Sequence, residues 1–486
     1  MGEALPGSFG VSVWKLGLCR WAAHLANGHS DRSVPFRWWE GARSGETARF
    51  LADCTCDASG CSGRPGAHPR CYNAHDMAIA RWVQAGKKLA GSPGLIFVIA
   101  LAARIRVLWQ LLPAHAWINF YPWNEPSHIA WALVSGFGFS SPWRGTPIAP
   151  TAQQPPVFPF LMAAIFKIAG AYSLTSLWIA TILNALFSAC TAALILRLGK
   201  RDFGDATGIL AAWIWAVWLY EAVICVRLWE SSLTALLLSL TLWWPPQLAE
   251  SRRGWLWWLF GILAGISAHT NTTMLALFPC FYTWLCINPK TRRRIPRRLI
   301  VASIAIFILT LVPWTMRNYR VFHRVLPLRD NLGLELWVGN YEGAIEAQPY
   351  PYPRAFPLID PTEYNQLGEI GFMDLKLHTG LQFIRDHPAR FLRFSVYRVF
   401  FFWTEPRGSW WFVPSLMAWV GMVLALRRYP ASASPYALVM LVFPLVYYLT
   451  HTFPSYRHPM EPVVLLFASF ALWRLAGRCF RSLRNA

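Results

Sequence analysis

KTRRRIPRRLIVASIAIFILTLVPWTMRNYR, residues 290–320, decides the fold. A basic loop, 290–298, runs into an apolar stretch, 299–316, that holds no charged residue. Arg317 and Arg320 close it. About 17–25 apolar residues in a helix cross the hydrocarbon core of a bilayer. The same kind of run recurs at 93–112, 174–196, 205–221, 224–244, 255–269, 271–288, 409–426, 434–450 and 460–476. The run 156–170 is short and bounded by proline, and reads as a re-entrant or juxtamembrane helix. The expectation is an all-α polytopic membrane protein. It has about ten transmembrane helices, juxtamembrane helices and a mostly helical loop domain on the outer face.

Composition points the same way. Of 486 residues, 55% are hydrophobic and 14% charged, against about 25% charged in soluble domains. Mean hydropathy is +0.32. Soluble globular and disordered classes are excluded. The excess of 45 Lys and Arg over 24 Asp and Glu, a net +21, suits cytoplasmic loops under the positive-inside rule. No basic stripe is free of membrane segments, so nucleic acid is not an expected partner. The basic clusters follow every second span: Arg197 to Arg201, Arg252 and Arg253, 290–298, Arg427 and Arg428, and Arg474 to Arg484. With Lys87 and Lys88 ahead of the first span, both termini are expected in the cytoplasm.

Residues 1–76 are rich in Gly, Ser, Arg and His and show no sustained helical period. They read as a disordered extension or an upstream mis-start, because Met77 opens a short basic lead and then a span, like the start of an inner-membrane protein. Cys54, Cys56, Cys61 and Cys71 cluster there near His68 and His75, but without paired C-x-x-C spacing, so zinc is a weak reading. The other segments are 77–316, with seven spans and the first outer loop 113–155; 317–408, the large outer region; and 409–486, with three spans and a basic tail.

The chemically competent residues gather in the loops assigned to the outer side. Glu125 is the only carboxylate of 113–155, and Pro126 suits the first turn of a helix. Ile129, Ala130, Leu133, Val134 and Phe137 then form a stripe, which predicts an amphipathic helix on the outer surface with Glu125 at its N-terminus. That glutamate reads either as a plain cap or as a site acid. Arg227 and Glu230 are three apart and would share a helix face in the fourth span, as an ion pair or as site residues. Arg317, Asn318 and Arg329 follow the seventh span, where arginines either clamp a lipid phosphate or reach to headgroups. DPTE at 360–363 resembles a capping box and starts a helix of about 361–386, with a stripe of Leu367, Ile370, Met373, Leu377, Leu381 and Ile384. Arg390, Arg393 and Arg398 interleave with aromatic residues in an interfacial segment. SYRHPMEP at 455–462 brings Arg457, His458 and Glu461 together, with His451 just before.

Four of these motifs carry a resemblance over about 90–480. They are the first-loop acid with E-x-x-x-I-A-x-x-L and G-x-G-F (Glu125 to Phe139), PPVFP (155–159), PWTMRNY (313–319) and SYRHP (455–459). Together they resemble the C superfamily of integral-membrane glycosyltransferases. Within it, the match is to bacterial family 39-like enzymes of the protein-mannosyltransferase and aminoarabinose-transferase type. The resemblance implies sugar transfer from a polyprenyl-phosphate donor to an acceptor hydroxyl of a lipid, glycan or protein, at the outer, periplasmic face of the bacterial inner membrane. It implies Glu125 as the catalytic acid. Asn124, Arg317, Asn318, Arg329, Arg457 and His458 are candidates for substrate binding, and Arg227, Glu230 and Glu461 are further site candidates. Many members carry an Asp next to or shortly before the first-loop acid; here the neighbour is Asn124. One carboxylate makes a poor divalent site, so no metal ligands are assigned and a divalent metal stays an open cofactor. A transporter or flippase would also explain ten spans. Neither an inverted repeat nor a broken helix marks one here, and the large outer region favours an enzyme over a partner-binding assembly protein.

Overall fold

The computed structural model describes residues 84–112, 124–141, 148–250, 253–342, 344, 361–404 and 412–485. All lie in one compact unit, Met77–Ala486. The extension 1–76 with its cysteine cluster lies outside the described residues, as does Asp360 of the capping box.

The described chain is an all-α polytopic membrane protein. Among these residues five helical segments are long and apolar enough to cross a membrane: Pro93–Leu111, Leu174–Asp202, Arg297–Phe322, Pro430–Leu449 and His458–Gly477. In chain order the helices are α1 (Pro93–Leu111), α2 (Glu125–Val134), α3 (Val157–Ala169), α4 (Leu174–Asp202), α5 (Asp205–Val217), α6 (Leu219–Ile224), α7 (Ser231–Glu250), α8 (Leu256–Thr270), α9 (Thr273–Ile287) and α10 (Arg297–Phe322). There follow α11 (Leu332–Gly339), α12 (Pro361–Asp386), α13 (Pro388–Thr404), α14 (Phe412–Arg428), α15 (Pro430–Val442), α16 (Leu445–Leu449) and α17 (Glu461–Asn485).

The expected spans 205–221 and 271–288 give helices shorter than their apolar runs, and 255–269 gives one as short as its run. Helices α5, α8 and α9 hold 13, 15 and 15 residues, about 20–23 Å at 1.5 Å per residue. They can be short because neighbours wrap them. Trp215, Trp257, Phe260 and Phe278 are wholly buried in one cluster that also takes residues from α4, α7, α14, α15 and α17. A second cluster joins α1 to α4 through Leu108, Ala130, Phe158, Met162 and Phe166. By contrast α10 leaves Val301, Ile308, Leu309 and Val312 exposed, an apolar face suited to lipid tails. Close approach needs glycine at one crossing. A Cβ on Gly421 of α14 would collide with the backbone oxygen of Phe467 in α17.

Two local expectations are corrected. The first-loop helix α2 does not lie free on the surface: Ser127, Ile129, Ala130 and Ala132 are completely buried. The small Ser127, Ala130 and Ala132 let α2 sink against α3, and of the expected stripe only Val134 and Phe137 are exposed. Arg227 and Glu230 do not share a helix face. The helix breaks after Ile224, and both sit in the turn before α7. The stripe in 361–386 marks a helix that the structure has as α12, and Met373 of it is buried, but Leu367 and Leu381 are exposed and Tyr364, Glu369, Phe372, Lys376 and Phe383 off the stripe are buried. Gly368, at φ 65°, kinks the helix and resets its phase.

Contacts separate the bundle into two ends. At the basic end, Lys200 Nζ donates to Gly91 O at 2.8 Å and Arg201 Nη1 to Trp243 O at 2.7 Å. The other end gathers the starts of α2, α7, α9 and α17, the finish of α10, and α11 and α12.

Candidate active site

At that second end the start of α2 is built by Asn124. Its Oδ1 accepts from Ser127 N at 3.2 Å, which satisfies one of the free N–H groups of the first turn. Asn124 is therefore the cap, and Glu125 stands one place inside. Gln154 Nε2 donates to Glu125 Oε2, and Gln153 Nε2 reaches Glu125 Oε1 at 3.4 Å. Helix dipole and amide donors both favour the ionised carboxylate.

Those two glutamines are aimed by their loop. Thr151 N donates to Phe139 O at 3.1 Å and Ser141 N to Ala149 O at 2.9 Å, around an isolated antiparallel bridge between Ser140 and Pro150. Arg317, at the end of α10, clips it: Nη1 donates to Thr151 O at 2.7 Å and Nη2 to Phe139 O at 2.8 Å. Its guanidinium also faces the rings of Phe139, Trp314 and Phe322. Asn318 Nδ2 donates to Leu326 O at 2.9 Å. PWTMRNY thus fastens two loops together through backbone carbonyls.

Arg329 closes the next side. Nε donates to Gln153 O at 2.9 Å, and Nη2 lies 3.4 Å from Glu335 Oε1. Glu335 also accepts from Asn331 Nδ2 at 2.5 Å and pairs with His451 Nδ1 at 3.2 Å, and His451 Nε2 meets Tyr456 OH at 3.0 Å. Burial lowers the His451 pKa, so the ring is neutral. A carboxylate on Nδ1 and a phenol on Nε2 assign the proton to Nδ1. Tyr447 stacks on Tyr456 at 4.8 Å. Across the site, Arg227 lies over the Phe453 ring at 4.8 Å. Glu230 accepts from Asn271 Nδ2 at 3.5 Å. Burial pushes the Glu230 carboxyl up to about 7, with Arg329 opposing that shift and Glu125 reinforcing it.

The structure therefore brings Glu125, Glu230 and Arg329 to one polar cluster, with Arg317, Asn318 and Asn124 as its frame; Arg227 lies over Phe453, whose ring in turn meets Tyr456. Arg457, His458 and Glu461 go elsewhere. Arg457 Nη1 donates to Ser415 Oγ at 2.8 Å and Trp403 O at 3.1 Å, and Nε pairs with Glu461 Oε1. His458 Nδ1 meets Glu221 Oε2 at 2.5 Å, with both side chains fully enclosed. The SYRHP motif is split: Tyr456 turns to the cluster, and the next two residues turn into the bundle. Sequence reasoning passed over Gln153, Gln154, Asn271 and Glu335 as site residues. The two glutamines were visible as adjacent amides between prolines. Glu335 carried no signal beyond being a carboxylate in an apolar helix. Among the described residues no three His, Cys, Asp or Glu side chains gather so as to hold a metal ion.

Residues 153–316 match the family described as dolichyl-phosphate-mannose-protein mannosyltransferase. The match starts at the glutamines beside Glu125 and ends at the residue before Arg317. It bears out the resemblance to C-superfamily membrane glycosyltransferases. No curated protein sequence matches the chain. Among solved structures, the Archaeoglobus fulgidus oligosaccharyltransferase in the apo form is similar with 13% identity and a TM-score of 0.49, over 81% of this chain and 52% of that one. For AglB of the same organism, in complex with an inhibitory peptide and a dolichol-phosphate, the values are 14%, 0.48, 80% and 51%. For apo ArnT from Cupriavidus metallidurans they are 11%, 0.38, 74% and 56%. The chain spans about half the length of these solved chains.

Proposed function

We propose that this protein transfers a sugar from a polyprenyl-phosphate donor to an acceptor hydroxyl, at the periplasmic face of the bacterial inner membrane. The observation that carries the reading is the Glu125 carboxylate, set at the N-terminus of α2 by two glutamine amides, one of them on the residue whose carbonyl Arg329 holds. The alternating basic loops support the sidedness, with both termini cytoplasmic.

The chemistry follows from the groups present. The acceptor oxygen bonds to the anomeric carbon as the bond from that carbon to the phosphate oxygen breaks. The bonding pair leaves with the polyprenyl phosphate, and the hydroxyl proton passes to Glu125. Arg227 and Arg329 offer positive charge to the departing phosphate. Burial raises Glu230 to about 7, so it is only partly ionised near neutral pH, and Glu125, under the helix dipole and two amide donors, is the assigned base. Arg317 and Asn318 act by holding the glutamine loop. Arg457, His458 and Glu461 hold the last helix.

The test is transfer of label from a polyprenyl-phosphate sugar by purified protein, compared with Glu125→Gln. The amide keeps the shape and removes the base, so transfer falls about 10²–10⁴-fold while the melting temperature is kept. Equal transfer by both proteins would remove Glu125 from the reaction.

A further inference from the structure

Helix α12 carries a buried carboxylate that reaches the site through a single residue. Gly368, at φ 65°, breaks the helix, and Glu369 directly after it turns inward. Glu369 Oε1 accepts from Ala152 N at 2.5 Å, and Oε2 accepts from Tyr364 OH at 2.9 Å. Ala152 immediately precedes Gln153 and Gln154. The other backbone groups here are also held: Asp330 N donates to Ala152 O at 3.2 Å, Arg317 to Thr151 O and Arg329 to Gln153 O. Most of these partners belong to the segments around the loop. Glu369 ties it to α12.

We propose that Glu369 is a positioning residue: by gripping the Ala152 amide it fixes the loop that aims Gln153 and Gln154 at Glu125. This rests on the reading of Glu125 as the base. A carboxylate is suited to the task because it accepts a backbone N–H and a phenol O–H at once.

The grip depends on a neighbour. The Asp330 carboxyl lies within hydrogen-bonding reach of Glu369, and neither Asp330 oxygen finds a donor among the described residues. Two buried carboxylates in contact cannot both ionise, so the pair shares one proton. Burial and Glu369 push Asp330 up to about 8. The groups facing the pair are Arg317 of α10, Arg329 before α11 and Tyr364 of α12. The sign is that of a raised acid. The stabilising contribution is complete below 3.8, the ordinary aspartate value. It declines as pH rises, and the native pair loses its proton only near 8, where repulsion loosens the grip.

The experiment has two arms on the purified full chain. In the first, hydrogen exchange of the peptide holding Ala152 and Gln153 is followed, with peptides of α4 as reference. Glu369→Ala speeds exchange at 151–154 alone, and Asp330→Asn, whose amide donates permanently to Glu369, leaves it slow. In the second, sugar transfer is measured against pH. Glu369→Ala lowers kcat about 10–100-fold, as a misplaced site does, with the donor KM within about twofold. Asp330→Asn keeps the neutral kcat and lacks the alkaline decline of the wild type above about pH 8. Unchanged exchange at 151–154 in Glu369→Ala overturns the proposal, as does unchanged kcat. If that variant does not fold, persistence of the alkaline decline in Asp330→Asn overturns it instead. Absence of transfer by the wild type counts against the glycosyltransferase reading, and the exchange arm still decides whether Glu369 holds the loop.

Discussion

Two arginine–carboxylate pairs in this molecule have the same chemistry and different surroundings. Arg457 and Glu461 open the last helix with side chains 5% and 1% exposed. Arg329, just before α11, and Glu335, in its first turn, are 21% and 29% exposed. The donors of Arg457 are taken by Ser415, Trp403 and Glu461, in the bundle interior. Arg329 gives one donor to the carbonyl of Gln153, whose side chain touches Glu125, and Glu335 leads on to His451 and Tyr456. The first pair ends in the protein. The second borders groups that a substrate can reach. Charge at membrane depth marks function only when something mobile can meet it. An enclosed pair holds helices instead.

The largest expected effect would break that comparison on the interior side. Arg457→Ala leaves Glu461 buried without its partner, and removing one member of such a pair costs about 3–5 kcal/mol. Thermal unfolding in detergent should show a marked loss of melting temperature. The folded fraction should still transfer sugar at close to the wild-type rate per molecule. A variant that keeps its melting temperature and loses donor binding would move Arg457 into the site.

A smaller effect sharpens the site side. The Arg227 guanidinium lies over Phe453 and meets no other described side chain, while its carbonyl is held by Asn184 Nδ2 at 2.9 Å. Arg227→Ala removes a charged donor that the protein itself does not need. Hydrogen bonds to charged groups contribute about 1.5–3 kcal/mol, so donor kcat/KM should fall about 10–150-fold, and unfolding should not shift. Arg227→Lys should recover only part, because an ammonium lacks the paired N–H geometry that suits phosphate. Full activity in Arg227→Ala would leave Arg329 as the only arginine proposed for the phosphate.

Much of the fold was legible because apolar runs report burial directly. The runs at 93–112, 174–196 and 299–316 became α1, α4 and α10, and the helix expected at 361–386 became α12, ending before Pro388. What stayed hidden was orientation. SYRHP names Arg457 and His458 in one breath with Tyr456, and the two successive 3-10 turns, Pro454–Tyr456 and His458–Met460, send them to opposite surroundings. Arg104 gave no signal among apolar neighbours, although it is wholly buried. It donates to Trp215 O and Ala216 O, each at 2.9 Å, the carbonyls left over where α5 ends. In the site, Glu125 was readable as the lone carboxylate of its loop. Glu335 and Glu369 were not, because nothing local says that a distant loop supplies the donors they accept. The stripe in α12 gave the helix but could not give its buried face, which includes Glu369 and Lys376; Lys376 pairs with Glu363 at 2.5 Å over the ring of Trp337. Hydrophobicity alone excludes both residues from a core.

The smallest effect concerns Asn124, which neighbours the proposed base and is itself a candidate for substrate binding. Its side chain already accepts from the Ser127 amide at 3.2 Å and meets the Ser127 hydroxyl at the same distance, so capping accounts for it. Loss of an N-cap costs about 0.5–2 kcal/mol, carried here by a ten-residue helix whose buried face packs on α3. Asn124→Ala should therefore lower stability slightly and raise hydrogen exchange at the start of α2, with a few-fold loss of transfer as Glu125 becomes less well held. Asn124→Asp separates the two roles. Aspartate caps as well as asparagine, so stability and exchange should return to wild type. A binding role that needs the amide N–H groups would not be rescued, since a carboxylate has none to donate. Recovery of all three readouts in Asn124→Asp identifies a cap; recovered stability with transfer still lost identifies a contact to substrate.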